Sequence, residues 1–171
     1  MKKILCISGK AEDVRNTVAN IIRTELIADG SRVLITHLSA PLEQLCRDWF
    51  HWDGKKDHMG RTLLHCIGME IVREENPNFW VDFTFGLLAM MRDEWEYAII
   101  PDCQFKNELD LSRFGFETVH LRVGEESASS ELRGVEADWV IFNDTSSLSL
   151  HEEIHAFISG ALVREIYKLS F

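Results

Sequence analysis

Short apolar segments alternate with helical segments along the whole chain, and this alternation is the feature that most constrains its fold. Strands are predicted at Lys3–Ser8, Arg32–His37, Tyr97–Ile100, Glu117–Val123 and Trp139–Phe142. Helices are predicted at Asp13–Asp29, Pro41–Trp52, Thr62–Glu75, Phe79–Arg92, Lys106–Phe114 and Leu148–Leu169, with a polar loop at His51–Gly60. Alternation of this kind is typical of a parallel sheet with helices on both faces. The sequence therefore predicts an α/β fold.

The charge and length of the chain exclude several classes of protein. The chain has 171 residues, which suits a single domain, and 28 acidic against 18 basic residues give it a net charge of −10. A basic surface is what general nucleic-acid binding requires, so we expect no nucleic-acid partner. The apolar runs are shorter than the ~20 residues of a membrane helix, and we expect no membrane partner. The four cysteines form no CxxC pair and lie in apolar segments, which predicts reduced thiols in a cytoplasmic protein.

The loop after the first strand carries an incomplete phosphate-binding pattern. Such a loop follows G-x-x-x-x-G-K-[ST], and Gly9 fits its first glycine. Val14 then stands at the second glycine, Arg15 at the lysine and Asn16 at the hydroxyl residue. Lys10 and the following helix N-terminus favour a phosphate, whereas two acidic residues in the loop oppose it. The residues leave two interpretations open: an altered phosphate loop, or a plain strand-to-helix turn.

Read whole, the chain resembles the deoxynucleoside monophosphate kinase family, a branch of the P-loop kinases. Four segments, which together span most of the chain, carry the resemblance: ISGKAEDVRNTVANII, GRTLLHCIGMEIVREENPNFWVD, YAIIPDCQFKNELD and ADWVIFNDTSSLSL. It implies a three-layer α/β/α fold whose parallel five-stranded sheet holds Lys3–Ser8 inside. It also implies a helical acceptor-binding insertion at about 39–95 and a mobile lid-like segment at about 124–134.

The resemblance further implies phosphoryl transfer from ATP, with Mg²⁺, to a (deoxy)nucleoside monophosphate. It also suggests a homodimer. The positions that match the family's catalytic residues are Arg15 and Asp102. Those that match its ATP-binding residues are Gly9, Lys10, Asn16, Thr17, Arg122 and Arg133. Those that match its acceptor-binding residues are Lys10, Arg61, Arg73 and Trp80, and Thr17 and Asp102 match its Mg²⁺-binding positions.

Several of these positions also have structural interpretations. Trp80 fits either core packing or base stacking, Arg73 fits a solvated helix face, and Asp102 fits a helix cap. Gln104 stands where the family pattern has an arginine. Together with the altered loop, it favours weak or lost catalysis. The alternative function is therefore an inactive nucleotide-binding or protein-interaction module on the kinase fold.

A different motif, His151-Glu152-Glu153-Ile154-His155, matches the zinc-protease pattern H-E-x-x-H. Its histidines lie on one helix face, but the apolar spacing of the same helix already explains the segment. The sequence therefore disfavours zinc hydrolysis.

Overall fold

A computed structural model describes residues 2–125, 129–142 and 147–162, which form two compact units. The first unit contains residues 1–36 and 92–171, and the second contains His37–Met91.

The first unit is built on a parallel sheet of five strands. The strands are β1 (Lys3–Ser8), β2 (Val33–Ile35), β3 (Tyr97–Ile100), β4 (Glu117–Val123) and β5 (Trp139–Ile141). Their order in the sheet is β2-β3-β1-β4-β5, and every neighbouring pair is parallel. The prediction of five parallel strands with β1 inside the sheet is therefore confirmed.

One face of the sheet packs on two helices, α1 (Glu12–Ala28) and α5 (Ser147–Phe157). Alternate residues of β1 point to opposite faces, so Leu5 and Ile7 enter this core while Ser8 points to the other face. Val18 of α1 and Phe157 of α5 are fully buried in the same core. The apolar spacing seen in the sequence accounts for this layer.

The second unit is helical. It contains α2 (Ala40–Phe50), α3 (His58–His65) and α4 (Phe79–Met90). From α3 the chain continues directly into a π-helical segment, Cys66–Arg73. The helix starts at His58, earlier than predicted, because the Asp57 side chain caps it by accepting a hydrogen bond from the Gly60 amide at 2.9 Å.

Two further predicted elements differ in the structure. The strand predicted at Arg32–His37 is limited to Val33–Ile35. The single helix predicted at Lys106–Phe114 is instead two short 3₁₀ turns, Lys106–Glu108 and Ser112–Phe114. Asp110 separates them, because its carboxylate accepts hydrogen bonds from the Ser112 hydroxyl at 2.7 Å and from the Ser112 amide at 3.3 Å. The last nine residues of the chain, where the predicted C-terminal helix ends, lie outside the described residues.

Candidate functional site

The loop that joins β1 to α1 is short and closely packed. Only Gly9, Lys10 and Ala11 separate Ser8 from the first residue of α1, Glu12. Gly9 has a φ of +141°, and a Cβ at this position would lie 2.3 Å from the carbonyl oxygen of Val123 at the end of β4. Glycine is therefore required here by the backbone conformation and by the neighbouring strand. Lys10 is exposed beside it.

Arg15 is buried, with 6% of its surface exposed, and it bonds to backbone oxygens. Its Nε donates to the carbonyl of Pro101 at 2.7 Å, and its Nη1 donates to the carbonyl of Gly9. The guanidinium thereby ties the first turn of α1 to the loop before it and to the turn after β3. Two of its five donors are used in this way, and the cation also neutralises the dipoles of the carbonyls.

The turn after β3 brings Asp102 to the carboxyl end of the sheet, next to the strand that precedes Gly9. Asp102 is half-buried, and the Cys103 amide that follows it donates to the Ile7 carbonyl at 3.2 Å. Glu108, which is 3% exposed, stabilises the next segment by accepting from the amides of Gln104 at 2.6 Å and Phe105 at 2.9 Å. The position of Asp102 is thus fixed by hydrogen bonds on its C-terminal side.

A buried serine–histidine pair lies beneath this edge of the sheet. Ser8 Oγ is 2.8 Å from Nε2 of His120, whose Nδ1 is 3.4 Å from the Glu136 carbonyl. Burial lowers the pKa of His120 below its usual value of 6.5, and the main opposing effect is its hydrogen bond to the Glu136 carbonyl.

Arg122 pairs in register with Ser8, and its Nε is buried without a hydrogen-bond partner among the described residues. A partly desolvated cation therefore lies at the end of β4.

The side chain of Thr17 faces away from this loop. Thr17 belongs to the second turn of α1, where its hydroxyl donates to the Asp13 carbonyl at 2.8 Å on the exposed side of the helix. Asn16, one residue earlier, is half-buried, and its carbonyl accepts from the Asn20 side chain at 2.9 Å. Both bonds are local contacts within the helix.

The donor set around this loop is small for a metal ion. In the parts of the chain that the structure describes, no group of three His, Cys, Asp or Glu side chains is arranged to hold one. Mg²⁺ is commonly bound through one or two carboxylates plus the phosphates of a substrate. Among the described residues, Asp102 fits that arrangement, whereas the Thr17 hydroxyl is bonded within α1.

The helical unit contains an open pocket of about 550 Å³ along α3 and the π-helical segment. Arg61 lines it and is exposed. The lining also contains three nitrogen-bearing side chains, one thiol and two carboxylates: Lys56, His58, His65, Cys66, Asp57 and Glu70. Acidic partners hold some of these groups, since Lys56 lies 3.1 Å from Glu43 and His65 lies 3.4 Å from Glu70. The pocket therefore combines four nitrogen-bearing side chains with two carboxylates.

Gly60, at the start of α3, packs closely against the loop that precedes the helix. A Cβ on Gly60 would lie 2.0 Å from the Lys55 carbonyl and 2.7 Å from Nε1 of Trp52. That indole nitrogen donates to the same carbonyl at 3.0 Å, and Arg47 stacks over the ring at 5.2 Å. Glycine therefore allows the loop that carries Lys55 and Lys56 to approach the start of α3 closely.

Of the other predicted acceptor residues, Lys10 belongs to the loop after β1, and Arg73 and Trp80 lie elsewhere in the helical unit. Arg73 is half-buried at the last residue of the π-helical segment and is not part of the pocket lining. Trp80 is 6% exposed, its Nε1 donates to the Gly68 carbonyl at 3.4 Å, and its ring meets that of Phe79 edge to face at 4.8 Å. This environment is that of a packed side chain.

The segment compared with a lid is only partly described, since residues 126–128 lie outside the described residues. Ser130–Leu132 forms a 3₁₀ turn in which Leu132 is 2% exposed, and Arg133 follows it on the surface. Ser129 Oγ donates to the Gln104 carbonyl, which joins this turn to the segment after β3.

The residues of the H-E-x-x-H motif have structural partners. Glu153 accepts a hydrogen bond from the Phe142 amide at 2.8 Å, and His151 Nδ1 lies 4.0 Å from a Glu25 oxygen. Ile154 is fully buried in the core. The motif therefore serves to pack α5 against β5 and α1, in line with the amphipathic interpretation of the sequence.

Four residues of this region were not identified from the sequence: Ser8, His120, Glu108 and His58. Ser8 and His120 become neighbours only through the pairing of β1 with β4, which no local pattern reveals. The adjoining Asn107-Glu108 pair belongs to the third resembling segment and was the available signal for Glu108. All four cysteines are free thiols, and three of them are buried while Cys66 is half-buried.

Across residues 2–125, 129–142 and 147–162, none of the helices combines the length and the apolar character needed to span a bilayer.

No protein-family model and no curated protein matches this chain. Several solved structures are similar to it in fold. The Mycobacterium tuberculosis APS kinase CysC in complex with AMPPNP and APS is 12% identical with a TM-score of 0.51, covering 92% of this chain and 96% of that chain. A point mutant of the same kinase gives a TM-score of 0.53 at the same identity and coverage. The crystal structure of APE1195 is 10% identical with a TM-score of 0.55, covering 96% of both chains. At these identities the likeness concerns the fold, and the chain has a three-layer α/β/α kinase-like fold.

Proposed function

We propose that this protein is a deoxynucleoside monophosphate kinase-like protein whose phosphoryl transfer from ATP is weak. In the reaction the bond between the β- and γ-phosphates of ATP breaks and a bond to a phosphate oxygen of the acceptor forms, releasing ADP. Such a reaction needs positioning and charge neutralisation more than covalent help from the protein. The four resembling segments support the reaction class, and the kinase-like fold is consistent with it.

The donor nucleotide is proposed to bind at the carboxyl end of β1. Lys10 is an exposed cation there, and the first amides of α1 have no helical acceptor, so both favour a phosphate. Asp102 is the carboxylate proposed to hold a nucleotide-bound Mg²⁺, which supplies charge neutralisation of the phosphates when present. Arg122, whose buried Nε has no hydrogen-bond partner among the described residues, is proposed to contribute positive charge from β4.

The acceptor's phosphate is proposed to bind in the pocket beside α3. Arg61 supports this role because it is exposed in the lining, and an arginine fork matches phosphate oxygens in a bidentate manner. His58 and His65 share the lining and can donate hydrogen bonds to the same anion. Arg73 is proposed as a secondary cation, and Trp80 as a support for the neighbouring helix.

The observation that carries the proposal of weak transfer is the bonding of Arg15. At the sequence position where a phosphate loop has its lysine, this arginine is buried and donates to the carbonyls of Pro101 and Gly9. A guanidinium engaged in this way must break both bonds before it can contact a transferring phosphoryl group. A displacement of about 1 Å from productive geometry is enough to lower a rate on the order of a hundredfold.

The same bonding favours a second candidate function, a nucleotide-binding module without catalysis. Glu12 and Asp13 begin α1 and are both exposed, so they place negative charge where the donor phosphates would bind. If the acceptor pocket binds a nucleotide independently, binding persists without turnover. The two candidate functions therefore predict different rates of ATP consumption but the same binding of the acceptor.

A calorimetric titration and a coupled assay on the full chain test the proposal. Deoxynucleoside monophosphates should bind the wild type, and the Arg61→Gln variant should bind them at least tenfold more weakly. Arg23→Gln, which removes an exposed charge from α1, is the matched control and should bind normally. ADP release above background but well below the ~1–100 s⁻¹ of ordinary kinases supports the kinase-like function. Binding with no ADP release selects the inactive module, and the absence of binding contradicts both.

A further inference from the structure

Arg122, near the end of β4, has a buried donor that the described chain does not satisfy. Its Nε is buried without a hydrogen-bond partner among residues 2–125, 129–142 and 147–162, although the residue as a whole is half-buried. Buried donors in native proteins are almost always bonded, and an exception commonly marks a catalytic group or the place of a bound ion or water. The unsatisfied Nε therefore indicates that Arg122 is positioned for a ligand.

The position of Arg122 brings its charge to the glycine loop. Arg122 pairs in register with Ser8, the residue directly before Gly9. The next residue of β4, Val123, lies so close to this loop that its carbonyl oxygen would be 2.3 Å from a Cβ at Gly9. This is the carboxyl end of a parallel sheet, where such folds bind their ligands. Arg122 thus lies at the same end of the sheet as the proposed donor site.

The polar groups near Arg122 are bonded to one another. Alternate residues of a strand face the same side, so Arg122 shares a face with His120, whose Nε2 lies 2.8 Å from the Ser8 hydroxyl. The Nδ1 of His120 lies 3.4 Å from the Glu136 carbonyl, and the Asp138 carboxylate accepts from the His120 amide at 2.7 Å. The guanidinium therefore keeps its Nε donor for a group that the described chain does not supply.

We propose that Arg122 is the cation that holds the phosphate chain of the donor nucleotide, in the role that a complete phosphate loop gives to its lysine. This inference rests on the donor site of the proposed function, and it assigns the main positive charge of that site to β4. Arg15 stands at the lysine position of the sequence pattern, but its guanidinium is bonded to the Pro101 and Gly9 carbonyls. An arginine presents a planar fork of donors that matches phosphate oxygens, so a cation from the neighbouring strand can replace the lysine.

Calorimetric titration of the full chain with ATP and with inorganic tripolyphosphate, both without Mg²⁺, tests the proposal. Arg122→Met keeps an unbranched stem but removes the charge and all donors. The wild type should bind both anions, and Arg122→Met should bind each of them at least about tenfold more weakly. Arg113→Met is the matched control, because it removes an exposed arginine from the turn that precedes β4, and it should bind both anions normally.

A second pair of variants identifies which arginine makes the phosphate contact. Arg122→Lys and Arg15→Lys are the same chemical change, and each protein is titrated with ATP under conditions in which circular dichroism shows it to be folded. Arg122→Lys should weaken ATP binding by about threefold or more, because the fork is lost while the charge remains. Arg15→Lys should weaken it less. A larger loss of ATP affinity in Arg15→Lys would overturn the proposal.

Urea unfolding separates a ligand-binding arginine from a structural one. Removing a buried donor that has no partner breaks no hydrogen bond, so Arg122→Met should have the urea midpoint of the wild type or a higher one. Tripolyphosphate should raise the midpoint of the wild type more than that of Arg122→Met. A lower midpoint for Arg122→Met without ligand would show a structural role and overturn the proposal.

The outcomes also distinguish this proposal from the proposed function. If the wild type binds ATP and Arg122→Met binds it equally well, the role of Arg122 is wrong and the donor site stands. If the wild type binds neither anion, the donor site itself is wrong and both are overturned. Acceptor binding through Arg61 is measured separately, so its failure would contradict the proposed function without changing the result for Arg122.

Discussion

Arg15 Nε lies 2.7 Å from the carbonyl oxygen of Pro101, so a residue of the first helix holds the turn that follows the third strand. The two residues are 86 positions apart in the chain. Arg15 stands at the sequence position of a phosphate-loop lysine, and here its side chain makes a structural hydrogen bond.

Replacing Arg15 by lysine should therefore destabilise the protein. A lysine cannot reproduce the planar fork that reaches both the Pro101 and the Gly9 carbonyls, and a lost buried bond typically costs about 1–3 kcal/mol. We expect the free energy of unfolding, measured in urea, to fall by that amount. Arg23→Lys on the exposed side of α1 should change it by less than about 0.5 kcal/mol. Equal stabilities of the two variants would show that the Arg15 bonds contribute nothing.

Two alanine substitutions can distinguish the close packing of Gly9 from the backbone requirement of an ordinary turn glycine. Gly9→Ala places a Cβ 2.3 Å from the Val123 carbonyl oxygen, in addition to the unfavourable positive φ. Gly124→Ala has the unfavourable φ, +83°, but no atom within 4 Å. We expect a loss of about 1 kcal/mol for Gly124→Ala and of at least about 2–3 kcal/mol for Gly9→Ala, measured by thermal or urea unfolding. Equal losses of stability in the two variants would show that the Val123 carbonyl does not restrict the side chain at position 9.

His120 should make stability depend on pH. Burial lowers its pKa in the folded protein below the usual 6.5, so below pH 6.5 the unfolded chain binds a proton more readily than the folded one. The free energy of unfolding should fall as the pH is lowered from 6.5 toward the folded-state pKa, and should be insensitive to this group above pH 6.5. His120→Gln should reduce the slope in that window. His155→Gln, at an exposed position of α5, should keep the wild-type slope.

Closure of the loop beneath Arg61 should depend on Gly60. A Cβ at this position would meet the Lys55 carbonyl at 2.0 Å, so Gly60→Ala must displace the loop that carries Lys56. We expect nucleoside monophosphate affinity to fall about tenfold or more, as measured by calorimetry, with a loss of stability of about 1–3 kcal/mol. Gly54→Ala changes a glycine of the same loop whose nearest neighbour is the flexible Arg47 side chain, and should affect affinity less. Affinity that survives Gly60→Ala would place the ligand away from this loop.

The sequence was informative where a local pattern decides the structure. Apolar runs and their spacing predict β1, α1 and the alternation of strands with helices, because burial of each element follows from its own residues. Asp110 shows the limit of this reasoning: the periodicity of Lys106–Phe114 suggests a helix, but the side chain bonds to Ser112 and divides it. Local polar bonds compete with helical ones at a cost that periodicity does not reveal.

The candidate site was less predictable because its contacts join distant residues. Arg15 was identified as a functional position, yet its bond to Pro101 depends on the placement of β3 beside β1. Ser8 and His120 are 112 positions apart and meet only through strand register. Arg61 could be singled out, since a cation at a helix start is electrostatically unfavourable and invites a ligand. The histidines that share its pocket carry no comparable local signal.

The early start of α1 has an evolutionary consequence. Because the helix begins at Glu12, residues 12 to 14 already have helical backbone, and just three residues remain to form the turn. Substituting glycine for Val14 and lysine for Arg15 would complete two positions of the sequence pattern but would leave the backbone of residues 12 to 14 helical. A lineage that acquired a full phosphate-binding loop from this chain would have to unwind a helical turn or insert residues, and it would have to replace the contacts that Arg15 makes.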